Sequence, residues 1–488
     1  MAMSMKEQKE NFVSNHSGSS SQEVLFVTLI PACLGYELYL LFCSTSKTHV
    51  SQSRKVVLEA VLVILPLLSF QASDFIIEKL RAFAGVKATF PEVPEEYEPV
   101  SLLIAALALF YPAKILYHFL TSSASGVSFP NPPVFDKFSY LTTYRSTISV
   151  STYIAILLVD FTIFPRKYCK TETWGYGLMD LGTGSYLFSS ALVSYYSRGA
   201  VGGTSSTAPL FRTIVKAFPL LALGFARLAT TKGLEYQEHV TEYGVHWNFF
   251  FTLFGVSVLS SAVHALSGWL FPKGGWLTFG PVLLAFALFG AYQAALTFQG
   301  LDAYVYDSPR TGSLFAANRE GILGCIGYTF LYLLAEEVGN YAIWSKRTAG
   351  EAFTAMLAVA SASWGVLAAL EVGLGAKVSR RATNGMYVLW VVANNTTMLA
   401  VMALLHAQQS GVGGGGGGVQ PSPVFKAVNR NSLVMFLVAN LLTGLVNLCI
   451  DTLNTSNWAA YFCVLGYLGV LGGVALFLDM VVDKSIRL

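Results

Sequence analysis

The chain has 488 residues, of which 54% are hydrophobic and 12% charged, with a formal net charge of +3 and a mean hydropathy of +0.54. Soluble domains carry about 25% charged residues, so this composition excludes a soluble globular protein, and a charge so close to balance argues against nucleic-acid binding. The class it indicates is an all-α polytopic integral membrane protein with no soluble domain.

Residues 1–23 are polar (MAMSMKEQKENFVSNHSGSSSQE). A cleavable signal peptide places its apolar region earlier, so the first apolar run itself is expected to act as the signal. Asn15-His16-Ser17 matches the glycosylation sequon, usable only if the N-terminus is lumenal. A membrane span needs about 20 mostly apolar residues. Such runs occur at 24–43, 56–71, 99–120, 147–164, 180–197, 209–230, 246–270, 276–298, 321–343, 352–374, 385–407, 431–450 and 458–481, which makes thirteen. The stretch MDLGTGSYLFSSALVSYYS is rich in Gly and Ser, which lets helix backbones approach closely and places it inside the bundle. An odd count puts the termini on opposite sides. Lys and Arg divide almost evenly between alternate loops, so the positive-inside rule does not orient the chain. Loops 165–179, 231–245 and 299–320 share one face and mix acids, His and Asn with Lys and Arg, which suggests a reaction site. Residues 408–424 read as a flexible Gly-rich linker between the eleventh and twelfth runs, and 1–488 as one membrane-embedded unit.

Four motifs carry candidate chemistry. In ILLVDFTIFPRKYCKTE, Asp160 lies within an apolar run, where a carboxylate costs roughly 2.5–3.5 kcal/mol at a helix centre and is a functional candidate by default. On one unbroken helix Asp160 and Lys170 would stand about 15 Å apart. Pro165 is expected to break the helix and let the chain return, bringing Lys170 toward the acid. Such a pair offers a carboxylate to accept an alcohol proton and a cation to steady an oxyanion. Arg166 and Lys167 read either as part of this site or as headgroup anchors. Cys169, in the same loop, is a candidate thiol nucleophile with no His near it in sequence.

In KGLEYQEHVTEYGVHWNFFF, His239, Glu242 and His246 share one helical face. HExxH is absent and Gly244 interrupts the stretch, so polar groups lining a cleft compete with a metal site and with an aromatic belt of Tyr236, Tyr243 and Trp247. In NREGI, Asn318 is expected to cap a helix with Glu320 in its first turn, while Arg319 suits a phosphate. In NSLVMFLVANLLTGLVNLCIDTLNTSNW, Asn431, Asn440, Asn447 and Asn454 recur in or beside an apolar run, either tying helices together or lining a polar cleft.

With these stretches assembled, the chain resembles the glucosaminyl-phosphatidylinositol inositol acyltransferases of glycosylphosphatidylinositol (GPI) anchor biosynthesis. The matching pieces are FVSNHSGSS, AILLVDFTIFPRKYCKTETWGYGLMDLGTGS, TKGLEYQEHVTEYGVHWNFFFTL, ANREGI, RRATNGMYVLWVVANN and LVMFLVANLLTGLVNL, in order across nearly the whole chain. The resemblance implies thirteen spans in the endoplasmic-reticulum membrane, a lumenal N-terminus, a cytosolic C-terminus and a lumenal acylation site. It implies transfer of a long-chain, typically palmitoyl, group from acyl-CoA to an inositol hydroxyl of glucosaminyl-phosphatidylinositol. The family's catalytic acid and lysine flank FPR and fall on Asp160 and Lys170. In this reading Asp160 is the general base and Lys170 orients it or stabilises the oxyanion. Arg166, Lys167 or Arg319 hold the lipid phosphate, and His239, Glu242, His246 and Asn248 line the sugar side, with Asn318 and Asn440 as further substrate contacts. The co-substrate is palmitoyl-CoA and the other partners are membrane lipids; a thioester is already activated, so no metal is expected. Two alternatives remain: a histidine-based membrane-bound O-acyltransferase acting on another lipid, with His239 or His246 as base, and a secondary transporter, for which an intramembrane acid is also a mark.

Overall fold

The computed structural model describes residues 5–45, 52–72, 74, 137–199, 208–231, 240–271, 280–346, 348–410 and 422–481. The helices are α1 (Met5–Val13), α2 (Ser21–Thr45), α3 (Gln52–Glu59), α4 (Leu65–Gln71), α5 (Lys137–Leu158), α6 (Leu178–Ala191), α7 (Ala208–Thr231), α8 (Val240–Tyr243), α9 (Phe249–Leu270), α10 (Gly280–Phe298), α11 (Leu301–Asp307), α12 (Leu314–Ala317), α13 (Arg319–Gly339), α14 (Ala349–Leu374), α15 (Gly385–Ser410), α16 (Pro423–Arg430), α17 (Ser432–Cys449) and α18 (Asn457–Val481). A π-helical turn at Ala60–Ile64 joins α3 to α4, and another at Asn340–Trp344 extends α13. Among the described residues β pairing is limited to two isolated bridges, His16 with Thr171 and Ser19 with Tyr176.

Eight of the described helices are long and apolar enough to cross a membrane. The chain is therefore an all-α multi-pass membrane protein. The apolar run at 99–120 and most of the Gly-rich linker at 408–424 lie outside the described residues.

Burial separates the centre of the bundle from its rim. The window 385–405 in α15 is 83% buried and that of 210–230 in α7 only 11%. On α7, Phe211, Val215, Phe218 and Phe225 are exposed at helical spacing, the pattern of a face turned to lipid. The Gly- and Ser-rich α6 is internal, as its composition predicts, and Gly184 packs against Tyr387 and Val391 where a Cβ would collide. Asn395 ties three central helices together: its Oδ1 accepts from Tyr144 at 2.7 Å and its Nδ2 donates to Ser185 at 2.9 Å. A buried amide at membrane depth needs such partners.

The polar ends are set by capping. Asn248 starts α9, its Oδ1 accepting from the Phe250 and Phe251 amides. Thr348 starts α14 by accepting from Glu351, and Gly375 ends it at φ 62, with Ala376 N–H returning to Leu370 C=O.

The structure moves one boundary. The sequence places Asp160 inside a helix that Pro165 ends, but α5 stops at Leu158. Asp160 N–H bonds to Leu157 C=O at 3.2 Å and Phe161 N–H to Leu158 C=O at 3.1 Å, tight turns in place of α-helical bonds. The cause is Arg166, whose guanidinium donates to the carbonyls of Val159 at 3.1 Å, Phe161 at 2.9 Å and Phe164 at 3.0 Å. These side-chain donors satisfy carbonyls left open at the helix end, among them that of Phe161, whose i+4 residue, Pro165, has no N–H to offer.

Candidate functional site

A cavity of about 310 Å³ opens where this turn meets the bundle core. On α5 its wall is Ile148, Ser151, Thr152, Ala155 and Ile156, positions three and four apart on one helix face. From Ile148 to Ile156 it runs about 12 Å along the helix. Past the end of α5 the wall continues with Asp160, Cys169 and Lys170. Helix α6 adds Gly182, Thr183 and Ser185, the α8 region adds Glu242, and α17 adds Asn440 and Thr443.

Asp160 is 3% exposed, and its Oδ2 accepts from Asn447 Nδ2 at 2.6 Å. The Lys170 ammonium meets Glu242 Oε2 at 2.5 Å. The sequence names Asp160 and Lys170 as a pair. The structure sets both on one cavity wall and gives each a partner from another element. Behind Lys170 the charges continue: Arg380 Nη1 lies 3.8 Å from Glu242 Oε1, and Arg380 Nε donates to Asp180 Oδ1 at 2.6 Å. The other Asp180 oxygen accepts from the amide and hydroxyl of Thr171 at 2.9 and 2.8 Å. Burial alone would lower the Arg380 guanidinium; Asp180 and Glu242 outweigh it and hold it well above its ordinary value. Burial pushes the Cys169 thiol up to about 11, against the opposing pull of Arg166 and Lys170. At neutral pH that thiol is protonated, which disfavours a nucleophilic role.

The three polar loops meet, as their shared face predicts. Lys170 joins 165–179 to 231–245 through Glu242, and Trp174 packs edge-on against Tyr306 at 4.9 Å. Val245 N–H bonds to Ala317 C=O at 2.9 Å and His246 N–H to Asn318 Oδ1 at 2.7 Å. Gly244, at φ 114, makes this approach, since a Cβ there would press on Asn318 Cα.

The other sequence-named residues divide by location. Asn248 and Asn440 line the cavity; Asn248 Nδ2 also donates to Gly224 C=O at 2.9 Å, and Asn440 Nδ2 to Phe436 C=O at 2.7 Å. Arg166, Lys167, His246, Asn318 and Arg319 stand off its described wall. Arg166 braces the Asp160 turn, and Lys167 pairs with Glu23 at 2.9 Å. His246 Nδ1 is buried without a hydrogen-bond partner among the described residues. Asn318 occupies the N-cap position of α13 but gives its oxygen to His246. Arg319, 1% exposed, donates to the carbonyls of Val305, Ser308 and Pro309 and so holds α11. His239 lies outside the described residues.

A family model described as GWT1 matches residues 5–478, the whole span that carries this site. The chain belongs to the GWT1 family. It is 34% identical to GPI-anchored wall transfer protein 1 of Gibberella zeae over 98% of this chain and 97% of the relative. It is 40% identical to the Aspergillus fumigatus protein of that name over 70% and 72%. An uncharacterized Arabidopsis thaliana protein is 36% identical over 68% and 72%.

Within this GWT1-family site the sequence does not single out Asp180 or Arg380, and it does not give Asn447 its partners, Asp160 on one side and Lys9 on the other. Arg380 and Arg381 stood in view as a charge doublet just before an apolar run, a signal that would have marked a buried ion cluster. Asn447 was noted as one of four recurring amides, without a partner. Lys9, in the polar leader, gave no local signal.

Proposed function

We propose that this protein is an acyl-CoA-dependent O-acyltransferase of GPI-anchor biosynthesis, moving a palmitoyl-type chain to an inositol hydroxyl of glucosaminyl-phosphatidylinositol. The observation that carries the reading is a buried carboxylate and an ammonium, Asp160 and Lys170, on the wall of one cavity within a membrane bundle. Its volume falls at the lower end of small-ligand sites, roughly 300–1,000 Å³. The names of the GWT1-family relatives, which refer to GPI-anchored wall transfer, support the pathway.

In the proposed step the Asp160 carboxylate accepts the inositol hydroxyl proton as that oxygen bonds to the thioester carbonyl carbon. Lys170, held by Glu242, faces the oxyanion of the tetrahedral intermediate. Collapse breaks the C–S bond, the CoA sulfur takes the proton back from Asp160, and the inositol ester remains. Polar groups on the wall, among them Glu242, Asn248 and Asn440, orient the acceptor. The working location is the endoplasmic-reticulum membrane, with the N-terminus and the Asp160 end lumenal and the C-terminus cytosolic.

The test is transfer from labelled palmitoyl-CoA to glucosaminyl-phosphatidylinositol in microsomes carrying wild type or Asp160→Asn. Asp160→Asn is expected to lose about 10²–10⁴-fold in rate while its extraction and thermal stability stay unchanged. Near-normal transfer by that variant removes Asp160 as the base. Lipid flux in reconstituted vesicles without acylation would replace the enzyme reading with a transporter.

A further inference from the structure

The acid is held from outside the cavity by a contact chain that reaches the N-terminal helix. Asn447, in the last turns of α17, donates Nδ2 to Asp160 Oδ2 at 2.6 Å, and its Oδ1 accepts from Lys9 Nζ at 3.0 Å. The same Nδ2 is anchored by Thr443 C=O at 3.1 Å, and Thr443 lines the cavity. The polarity of this chain is fixed by chemistry. An ammonium only donates and a carboxylate only accepts, so an amide between them has one workable orientation. Lys9 is not isolated on α1. Phe12 and Val13 follow at three and four residues, on the same helix face. The Phe12 ring lies 3.9 Å from the Arg166 guanidinium that braces the Asp160 turn, and Val13 is on the cavity wall. The segment after α1 is fastened to the same loop: Glu172 N–H bonds to His16 C=O at 3.0 Å and Ser19 N–H to Tyr176 C=O at 2.9 Å.

We propose that Asn447 and Lys9 are positioning residues for Asp160, an amide relay by which the N-terminal helix orients and polarises the carboxylate at the cavity wall. The proposal rests on the reading of Asp160 as the base. The relay keeps one carboxylate oxygen engaged with a neutral donor, and behind it stands a cation. A hydrogen bond to the charged form favours that form. Among the described residues, Arg166 and Cys169 act electrostatically on the acid, Lys170 shares its cavity wall, and Asp451 lies near Lys9.

The test uses the full chain in microsomes, with kcat, KM for palmitoyl-CoA and the pH–rate profile measured for Asn447→Leu, Asn447→Asp, Lys9→Met and Lys9→Arg, beside Asp160→Asn. Loss of a hydrogen bond to a charged group corresponds to about ten- to a hundredfold in kcat, expected for Asn447→Leu with KM little changed. The acidic limb of its profile is expected to move to higher pH. Asn447→Asp, nearly the same shape but without the donor, is expected to fall at least as far. Lys9→Met shifts the limb the same way by less, and Lys9→Arg restores the wild-type profile. A wild-type profile in Asn447→Leu and Lys9→Met, or loss of kcat with no movement of the limb, overturns the relay. If Asn447→Leu does not accumulate in the membrane, the Lys9→Met and Lys9→Arg pair decides by the same criterion. Activity retained by Asp160→Asn is a different failure, of the underlying reaction assignment.

Discussion

Two buried carboxylates at the polar end of the bundle, Glu320 and Asp160, stand in opposite surroundings. Glu320 is enclosed by guanidiniums: Arg310 binds both its oxygens at 2.7 and 2.6 Å, and Arg381 reaches Oε1 at 3.0 Å. Arg381 and Arg319 in turn share the Val305 carbonyl, so this cluster locks α11, α13 and the loop before α15. Asp160 accepts a hydrogen bond from a neutral amide, with the Arg166 guanidinium acting on it electrostatically, and its surface belongs to a cavity. An acid neutralised by fixed cations holds helices together and has little freedom to take a proton. An acid oriented by an amide at a cavity wall keeps its charge available to a substrate. Burial alone does not separate the two roles; the partner and the adjoining space do.

That contrast is open to direct attack. The largest expected effect is on stability at the first site: Glu320→Ala takes the carboxylate from the buried Arg381 and the partly buried Arg310 and should cost about 3–5 kcal/mol, read as loss of monodisperse protein in detergent or a sharply lowered unfolding temperature. Asp160→Asn should leave the same measurements unmoved, and a comparable loss there would erase the distinction. Lys170→Met tests the boundary between the regions, since Lys170 belongs both to the cavity and to the ion cluster of Glu242 and Arg380. It should reduce transfer by about 10²-fold while unfolding shifts little, because Arg380 remains beside Glu242. The smallest effect belongs to Cys169. Cys169→Ala should transfer acyl groups at nearly the wild-type rate. Burial favours the protonated thiol, so at pH 8 only about a thousandth of it is thiolate. In a chain with the other cysteines replaced, alkylation of Cys169 should therefore stay slow at pH 8 and rise steeply toward pH 11. Fast alkylation at pH 7, or a dead Cys169→Ala, would bring back a covalent acyl-cysteine route.

Much of the fold was legible because helix formation and membrane burial are local. Apolar runs of span length announce helices, and the Gly- and Ser-rich α6 announces close packing. The end of α5 was misplaced because its cause, Arg166, acts on carbonyls two to seven residues back through a turn that periodicity does not register. The site was legible by half. Asp160, Lys170 and Glu242 stood out as charges in or beside apolar runs. Arg319 stood out equally, yet it holds backbone carbonyls, because an arginine next to an apolar run has the same sequence signature in either role.

The sequence by itself determined the membrane class, the helices and the Asp160–Pro165–Lys170 knot, since each rests on residues within a few turns of one another. The tertiary structure decided the partners. Asn447 comes to Asp160 from 287 residues away, Glu242 to Lys170 from 72, and Lys9 to Asn447 from 438. Contacts at such separations depend on how helices pack and on where loops fold back, and neither is written in local hydrophobic pattern.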